Sequence, residues 1–238
     1  EPNALVEIGQ GARRDPNTRA TTVELYEGLV AKSQNRFPSL AFDLQAVNDL
    51  FSPFLGAGFY YKTFMWPAAF WEKLYEPLIR RAAGLGRASH DADPDDYEKC
   101  WAHCDLLVIG AGATGLAAAL TAGRAGARVI VVDEHPVAGG GLLSETAIIG
   151  TQAAADFAAS CATELQSMPN VRLLTRTTVF AWYDGNVFGA VERVQKHVGF
   201  PAPNLPVERL WRIAAKQALL ATGAEERPLV FGGNDIPG

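Results

Sequence analysis

Asp105-Leu-Leu-Val-Ile-Gly110-Ala-Gly112-Ala-Thr-Gly115, followed by an alanine-rich stretch and then Arg128-Val-Ile-Val-Val-Asp133, decides the fold of this chain. The glycines satisfy G-x-G-x-x-G. That spacing alone is a weak signal. Here it follows an apolar strand, opens a helix and sits in a unit of about thirty residues, the context of a dinucleotide-binding βαβ unit. Gly110 permits the tight strand-to-helix turn, Gly112 has no β-carbon to block a pyrophosphate, and Gly115 lets the helix pack closely on the strand. Unpaired amides around Ala113, Thr114 and Gly115 then face the phosphates with the positive end of the helix dipole. Asp133 closes the second strand about twenty residues further on, where a carboxylate accepts hydrogen bonds from a ribose 2′-hydroxyl and repels a 2′-phosphate. That disfavours NADP. It leaves NAD and FAD open, since both carry an adenosine ribose.

Outward from this unit, the pattern predicts a helix over 114–126, a second over 152–167 and a short strand over 171–174. Strands over 178–183 and 187–193 are joined by Asp184-Gly185-Asn186, a strong hairpin signal. Two last strands are expected over 209–214 and 217–222. The run Gly139-Gly140-Gly141 brings backbone close to a ligand, or makes a flexible turn. Leu219-Leu-Ala-Thr222-Gly223 is an apolar strand ending in small residues, whose backbone can again approach a dinucleotide. The fold expected over 101–238 is therefore α/β: a three-layer, Rossmann-like dinucleotide-binding domain with a crossover β-meander.

Residues 1–100 read differently, as an irregular, partly helical, aromatic-rich segment. Proline recurs at seven positions from Pro2 to Pro94, and aromatics crowd the middle: Phe37, Phe42, Phe51, Phe54, Phe59, Tyr60, Tyr61, Phe64, Trp66, Phe70, Trp71 and Tyr75. Two helices are predicted, over 22–32 with Thr21 or Thr22 as cap, and over 69–83 with Arg80 and Arg81 in its last turns. The aromatics are read as packing against something large, the next domain or another subunit, with a stacking platform for a ligand as the alternative. Polar residues 90–96 read as a linker.

The whole chain has 238 residues, 48% hydrophobic and 20% charged, the balance of an ordinary globular protein with a buried core. A net charge of −5 and no basic run longer than Arg80-Arg81 argue against nucleic acid or an anionic membrane as partner. No stretch is long and apolar enough for a transmembrane helix. Three cysteines, Cys100, Cys104 and Cys161, make no disulfide framework and point to a reducing cytoplasm. They offer no metal-ligand pairing. His90, His103, His135 and His197 pair with no serine or cysteine motif, and no catalytic residue is assigned.

The order of motifs resembles the two-dinucleotide-binding-domain flavoproteins of the glutathione-reductase-like fold. Those proteins share the glycine loop, the glycine pair, the crossover meander and the A-T-G strand. Residues 177–194 resemble the meander, with Val179 at the position whose backbone usually meets the adenine. A narrower resemblance is carried by Arg13-Arg-Asp-Pro-Asn-Thr-Arg-Ala-Thr-Thr-Val-Glu-Leu-Tyr-Glu-Gly-Leu, Ser33-Gln-Asn-Arg-Phe-Pro-Ser-Leu and Phe59-Tyr-Tyr-Lys-Thr-Phe-Met-Trp-Pro. Tyr75-Glu-Pro-Leu-Ile-Arg-Arg-Ala-Ala-Gly-Leu-Gly, Ala221-Thr-Gly-Ala-Glu-Glu-Arg-Pro-Leu-Val-Phe and Asn234-Asp-Ile-Pro-Gly carry it further. Together they resemble the α subunits of heterotetrameric sarcosine oxidases. That resemblance implies a bacterial complex that demethylates sarcosine to glycine, forms hydrogen peroxide and passes a one-carbon unit to tetrahydrofolate. It implies NAD+ in the α subunit where relatives hold FAD, with FAD in the β subunit, FMN between α and β, and γ and δ subunits as further partners. By position it implies that Gly110, Gly112, Ala113, Thr114, Gly115, Asp133, Glu134, His135, Gly140, Gly141, Val179, Thr222 and Gly223 line the cofactor site.

Family members are several times longer, so the chain is expected to be a fragment, truncated in its last domain and inactive on sarcosine alone. Two other readings stand beside this one. The first is a subunit of an opine dehydrogenase or hydrogen cyanide synthase holding FAD or NAD. The second is a non-catalytic docking module with a static nucleotide. No Cys-x-x-Cys or Cys-x-x-x-x-Cys follows the glycine loop, so the disulfide-reductase reaction of this fold is not supported.

Overall fold

A computed structural model describes residues 5–50, 53, 64 and 66–224. The chain forms two compact units: Glu1–Asp95 with His197–Phe200, and Asp96–Lys196 with Pro201–Gly238.

In the first unit, β1 (Leu5–Ile8) lies between β2 (Asp15–Arg19) and β3 (Ala31–Ser33), both antiparallel to it. A polar knot holds the turns around this sheet. The Gln34 side chain accepts the Asn17 amide at 2.8 Å and donates to the Asn17 side-chain oxygen and the Gly84 carbonyl, each at 3.0 Å. The predicted helix over 69–83 is present as a 3₁₀ turn (Ala68–Phe70), a π-helical turn (Trp71–Tyr75) and α1 (Glu76–Ala82). Pro77 sits in the first turn of α1, where the chain passes from π-helical to α-helical pitch.

The helix predicted over 22–32 does not form. A 3₁₀ turn covers Ala20–Thr22, and the Thr22 hydroxyl donates back to the Arg19 carbonyl rather than capping anything. Gly28, at φ +84°, then turns the chain into β3. Its helix-like apolar spacing loses to the β1 edge, which offers backbone partners to Ala31–Ser33. Among the described aromatics, Phe37, Phe42, Trp66, Phe70 and Trp71 are exposed; Phe51, Phe54, Phe59, Tyr60 and Tyr61 lie outside the described residues.

The second unit has the expected α/β architecture. Its main sheet is built from β4 (Tyr97–Ile109), β5 (Val129–Val132), β8 (Val171–Leu174), β9 (Thr177–Tyr183), β10 (Val187–Arg193) and β11 (Glu208–Leu220). Their spatial order is β8-β5-β4-β11-β10-β9. A small ribbon, β6 (Ile148–Ile149) with β7 (Gln152–Ala153), precedes the second helix. β8, β5, β4 and β11 are parallel, whereas β11, β10 and β9 form an antiparallel meander. The strands predicted over 209–214 and 217–222 are one strand, β11, paired in parallel with β4 from Glu208 to Leu220. Ala214-Ala215-Lys216 contains no turn-forming residue, and the pairing with β4 keeps one register on either side of Lys216.

Alternation of side chains divides the core into two. Val108, Val129 and Val131 face α2 (Ala113–Arg124) and α3 (Ala154–Ser167), meeting Leu116, Ala119 and Leu120 of α2 and Ala158, Cys161 and Leu165 of α3. Leu107, Ile109, Ile130 and Val132 face the other way, onto Phe188 and Ala190 of β10 and Trp211 and Ile213 of β11. Helices, parallel strands and meander make the three layers. β5 is buried on both faces, which explains its unbroken Val-Ile-Val-Val.

Inside β4 and β11 and beside the start of β5, the Asp105 carboxylate binds the Arg128 guanidinium at 3.0 Å and the Lys216 ammonium at 2.8 Å, tying the three strands together. Hydrogen bonds from Arg128 and then Lys216 hold its carboxyl well below the usual carboxylate range.

Ile213, fully buried between sheet and meander, should cost about 2–5 kcal/mol of stability when replaced by alanine, read by denaturant unfolding. A carboxyl with a lowered folded pKa contributes stability above its unfolded pKa of about 4 and loses it as pH falls further. Asp105→Asn should therefore lower Tm at pH 7, with the difference shrinking as pH is taken below about 4.

Candidate functional site

Three backbone segments meet where β4 ends. Gly110, at φ +102°, turns the chain out of the strand, and its N–H donates to the Val132 carbonyl at 2.8 Å. A β-carbon on Gly110 would overlap the carbonyl of Ala221, which follows β11 and donates its own N–H to the Ile109 carbonyl at 2.8 Å. One on Gly115 would overlap the Gly110 carbonyl oxygen and press on the Val108 side chain at 3.3 Å. These two glycines are therefore demanded by close packing, of strand end on strand end and of helix on turn.

Gly112 is different. It is the residue preceding α2, and a β-carbon there would meet nothing within 4 Å. The space beside it is open to the helix N-terminus, where Ala113 and Thr114 are exposed and the first amides have no helical partner. A pyrophosphate fits this cradle: open room, free amides and a favourable dipole. The glycine run closes one side of it. Gly139 donates to the Ala111 carbonyl at 2.8 Å, and a β-carbon on Gly140 would stand 3.1 Å from the Gly112 α-carbon. Gly141 belongs to the 3₁₀ turn Gly140–Leu143.

Asp133, just after β5, is only 8% exposed. Its Oδ2 accepts the Ala111 N–H at 2.6 Å and its Oδ1 accepts the His135 N–H at 2.8 Å, with His135 Nδ1 at 3.2 Å. Glu134 is exposed, and its carbonyl accepts from the Arg193 guanidinium at the end of β10. The start of the meander borders the same loop, because Thr177 N–H donates to the Asp133 carbonyl at 2.8 Å and Arg176 N–H to the His135 carbonyl at 2.9 Å. Val179 lies two residues along β9, beside a bulge at Phe180, with its side chain toward the inner core. Thr222 and Gly223 follow Ala221 and are exposed.

The structure thus brings Gly110, Gly112, Gly115, Asp133, His135 and Gly140 to one place: Gly115 packs on Gly110, Gly140 beside Gly112, and Asp133 bonds His135 and reaches the glycine loop through Ala111. Two participants had no sequence signal of their own: Ala111 and Arg193. Each acts through a backbone group or a tertiary approach that no motif spells.

This is the site plan of a dinucleotide-binding redox domain. Residues 104–238 match the model of the pyridine nucleotide-disulphide oxidoreductases. The chain belongs to that family. Among curated proteins, it is 77% identical over 238 residues to the sarcosine oxidase alpha subunit of Rhizobium meliloti (strain 1021), all of this chain against 24% of that one. It is 46% identical over 158 residues to the sarcosine oxidase alpha subunit of Corynebacterium sp. (strain P-1), covering 65% of this chain and 16% of the other. An opine oxidase subunit of Agrobacterium tumefaciens (strain Ach5) is 34% identical over 139 residues, 56% of this chain and 26% of that protein. The chain spans about a quarter or less of each relative's length.

The dithiol chemistry in the family's name has no counterpart among the described residues. Cys100 and Cys104 sit four residues apart on one strand, roughly 13 Å at strand spacing and too far for a disulfide. Cys161 packs in the opposite core layer. Burial pushes the Cys104 thiol up to about 11, so it is an inert core side chain. No group of metal-ligating side chains occurs among the described residues, and no helix there is long and apolar enough to cross a membrane.

The two helix-start glycines should respond differently to alanine. Gly115→Ala should destabilise the fold by about 1–3 kcal/mol through overpacking. Gly112→Ala should change stability by less than about 1 kcal/mol, yet abolish dinucleotide binding measured by calorimetry.

Proposed function

We propose that this chain is the NAD+-holding part of the α subunit of a sarcosine oxidase complex. The reaction of that complex is oxidative demethylation of sarcosine to glycine with formation of hydrogen peroxide, and one-carbon transfer to tetrahydrofolate. The observation that carries this reading is the 77% identity to a sarcosine oxidase α chain over all 238 residues, including the aromatic segment that the dinucleotide fold does not require. In this reading β, γ and δ subunits are the partners, FAD and FMN are bound elsewhere in the complex, and the assembly is cytoplasmic.

The chain's own residues bind and orient; the redox chemistry is the cofactor's, a nicotinamide accepting or releasing hydride when bound. Amides of Ala113, Thr114 and Gly115 hold the pyrophosphate over the open face of Gly112. Carboxylates at Asp133 and Glu134 serve the adenosine ribose, His135 shapes their loop, and the Val179 backbone borders the adenine. Gly140, Gly141, Thr222 and Gly223 keep the remaining walls low enough for backbone to approach the ligand. No side chain is assigned a proton-transfer role.

A second reading is favoured by the 34% identity to an opine oxidase subunit: the same frame serving another amine oxidoreductase, with FAD or NAD as occupant. Mass spectrometry of nucleotide released from the purified protein identifies the occupant. The expected result is NAD+, with added NAD+ raising Tm and NADP+ leaving it unchanged, because a 2′-phosphate meets carboxylate charge. Released FAD together with no shift by NAD+ would overturn the NAD+ assignment.

A further inference from the structure

Arg80, Arg81 and Arg87 line a cavity of about 270 Å³ at the C-terminal end of α1, with Pro77 and Leu85 as its apolar walls. Among the described residues, none of these guanidinium groups has a carboxylate partner. Other arginines of the same unit are neutralised, Arg13 by Asp95 at 2.8 Å and Arg14 by Glu7 at 3.4 Å. The cavity is also held in shape. Arg80 donates to the Gly86 carbonyl at 3.4 Å, and the Arg81 guanidinium lies over the Phe37 ring, 4.2 Å from its centroid. The Arg87 main chain is fixed by Arg14, which donates to its carbonyl at 3.2 Å.

Cations in the last turn of a helix are ordinarily explained by its dipole. That accounts for Arg80 and Arg81 but not for Arg87, which lies beyond α1. The dipole is also blunted here, because the Ile79, Arg80 and Arg81 carbonyls already accept the amides of Ala83, Leu85 and Gly84. Like charges gathered in one concavity repel one another, and a bound anion removes that repulsion. A phosphate group at neutral pH carries about two negative charges and three accepting oxygens, so it satisfies several guanidinium forks where a carboxylate satisfies one. Pro77 and Leu85 offer apolar surface to whatever the phosphate is attached to. We infer that this cavity binds a small phosphate monoester, with the arginines on its phosphate and the apolar walls on its carbon body. All of its residues belong to the first unit, whereas the dinucleotide cradle belongs to the second, so this site stands whatever nucleotide the cradle holds.

The test titrates the full chain by calorimetry and by NMR of the arginine Nε–H signals, with phenyl phosphate, inorganic phosphate and benzoate as probes. Phenyl phosphate should shift the signals of Arg80, Arg81 and Arg87 and should bind more tightly than either of the other two. The Arg87 side chain makes no hydrogen bond among the described residues, so Arg87→Gln should not lower Tm. It should weaken phenyl phosphate about tenfold and leave NAD+ affinity as it was. Unchanged phenyl phosphate affinity in both Arg87→Gln and Arg80→Gln would overturn the proposal. So would perturbation confined to the amides around Gly112, which would put the phosphate in the dinucleotide cradle. Inorganic phosphate or benzoate binding as tightly as phenyl phosphate would overturn the monoester assignment. Tighter binding of a glutamate-rich peptide would give the cavity to an acidic polypeptide instead.

Discussion

The Gly110 carbonyl oxygen fills the place a β-carbon on Gly115 would take, and the Ala221 carbonyl does the same to Gly110. A helix, the turn that feeds it and the end of a neighbouring strand are thereby packed backbone on backbone. Such contact is available only where side chains are absent, and glycine in a helix costs about 1 kcal/mol relative to alanine. That cost is offset because close seating aims the free amides of α2 at one point above the sheet. Gly112, with open space beside it, marks that point.

The rest of the α/β unit holds this convergence steady. At one end of β5 Asp105 ties β4 to Arg128 and to Lys216 of β11. At the other, Asp133 ties the first turn to the loop after β5. Between them lie two apolar layers, so the strands can neither slide nor rotate without exposing buried valine, leucine or isoleucine. The Trp211 indole adds a polar anchor in the meander by donating to Glu192 at 2.7 Å, which also receives Arg209 at 3.0 Å. A binding site at strand ends gains from such rigidity, since the distance between phosphate and ribose subsites is then set before a ligand arrives.

Much of this was legible in the amino-acid order. Strand and helix periodicity located β5, β8, β10, α2 and α3 to within a few residues, because each has one apolar face or is apolar throughout. The G-x-G-x-x-G spacing identified the glycine loop, since Gly110 and Gly115 answer steric demands that no other residue meets and Gly112 leaves the space beside the helix start open. Local pattern misled where its tertiary partner was out of view. Residues 22–32 have helix-like spacing, but the open β1 edge claims Ala31–Ser33. Ala214-Ala215-Lys216 looks like a break, but β4 holds the strand in one register on both sides of it.

The sequence by itself determined the class of the fold, the location of the phosphate loop and the presence of carboxylates after β5, because these depend on residue type at fixed local spacing. Only the tertiary structure decided which groups those carboxylates touch. Ala111 and Asp133 are twenty-two residues apart, Glu134 and Arg193 fifty-nine, and their bonds exist only after strands and meander close. A hydrogen bond between a side chain and a distant backbone group leaves no composition or period to read, since any residue can supply the amide or carbonyl.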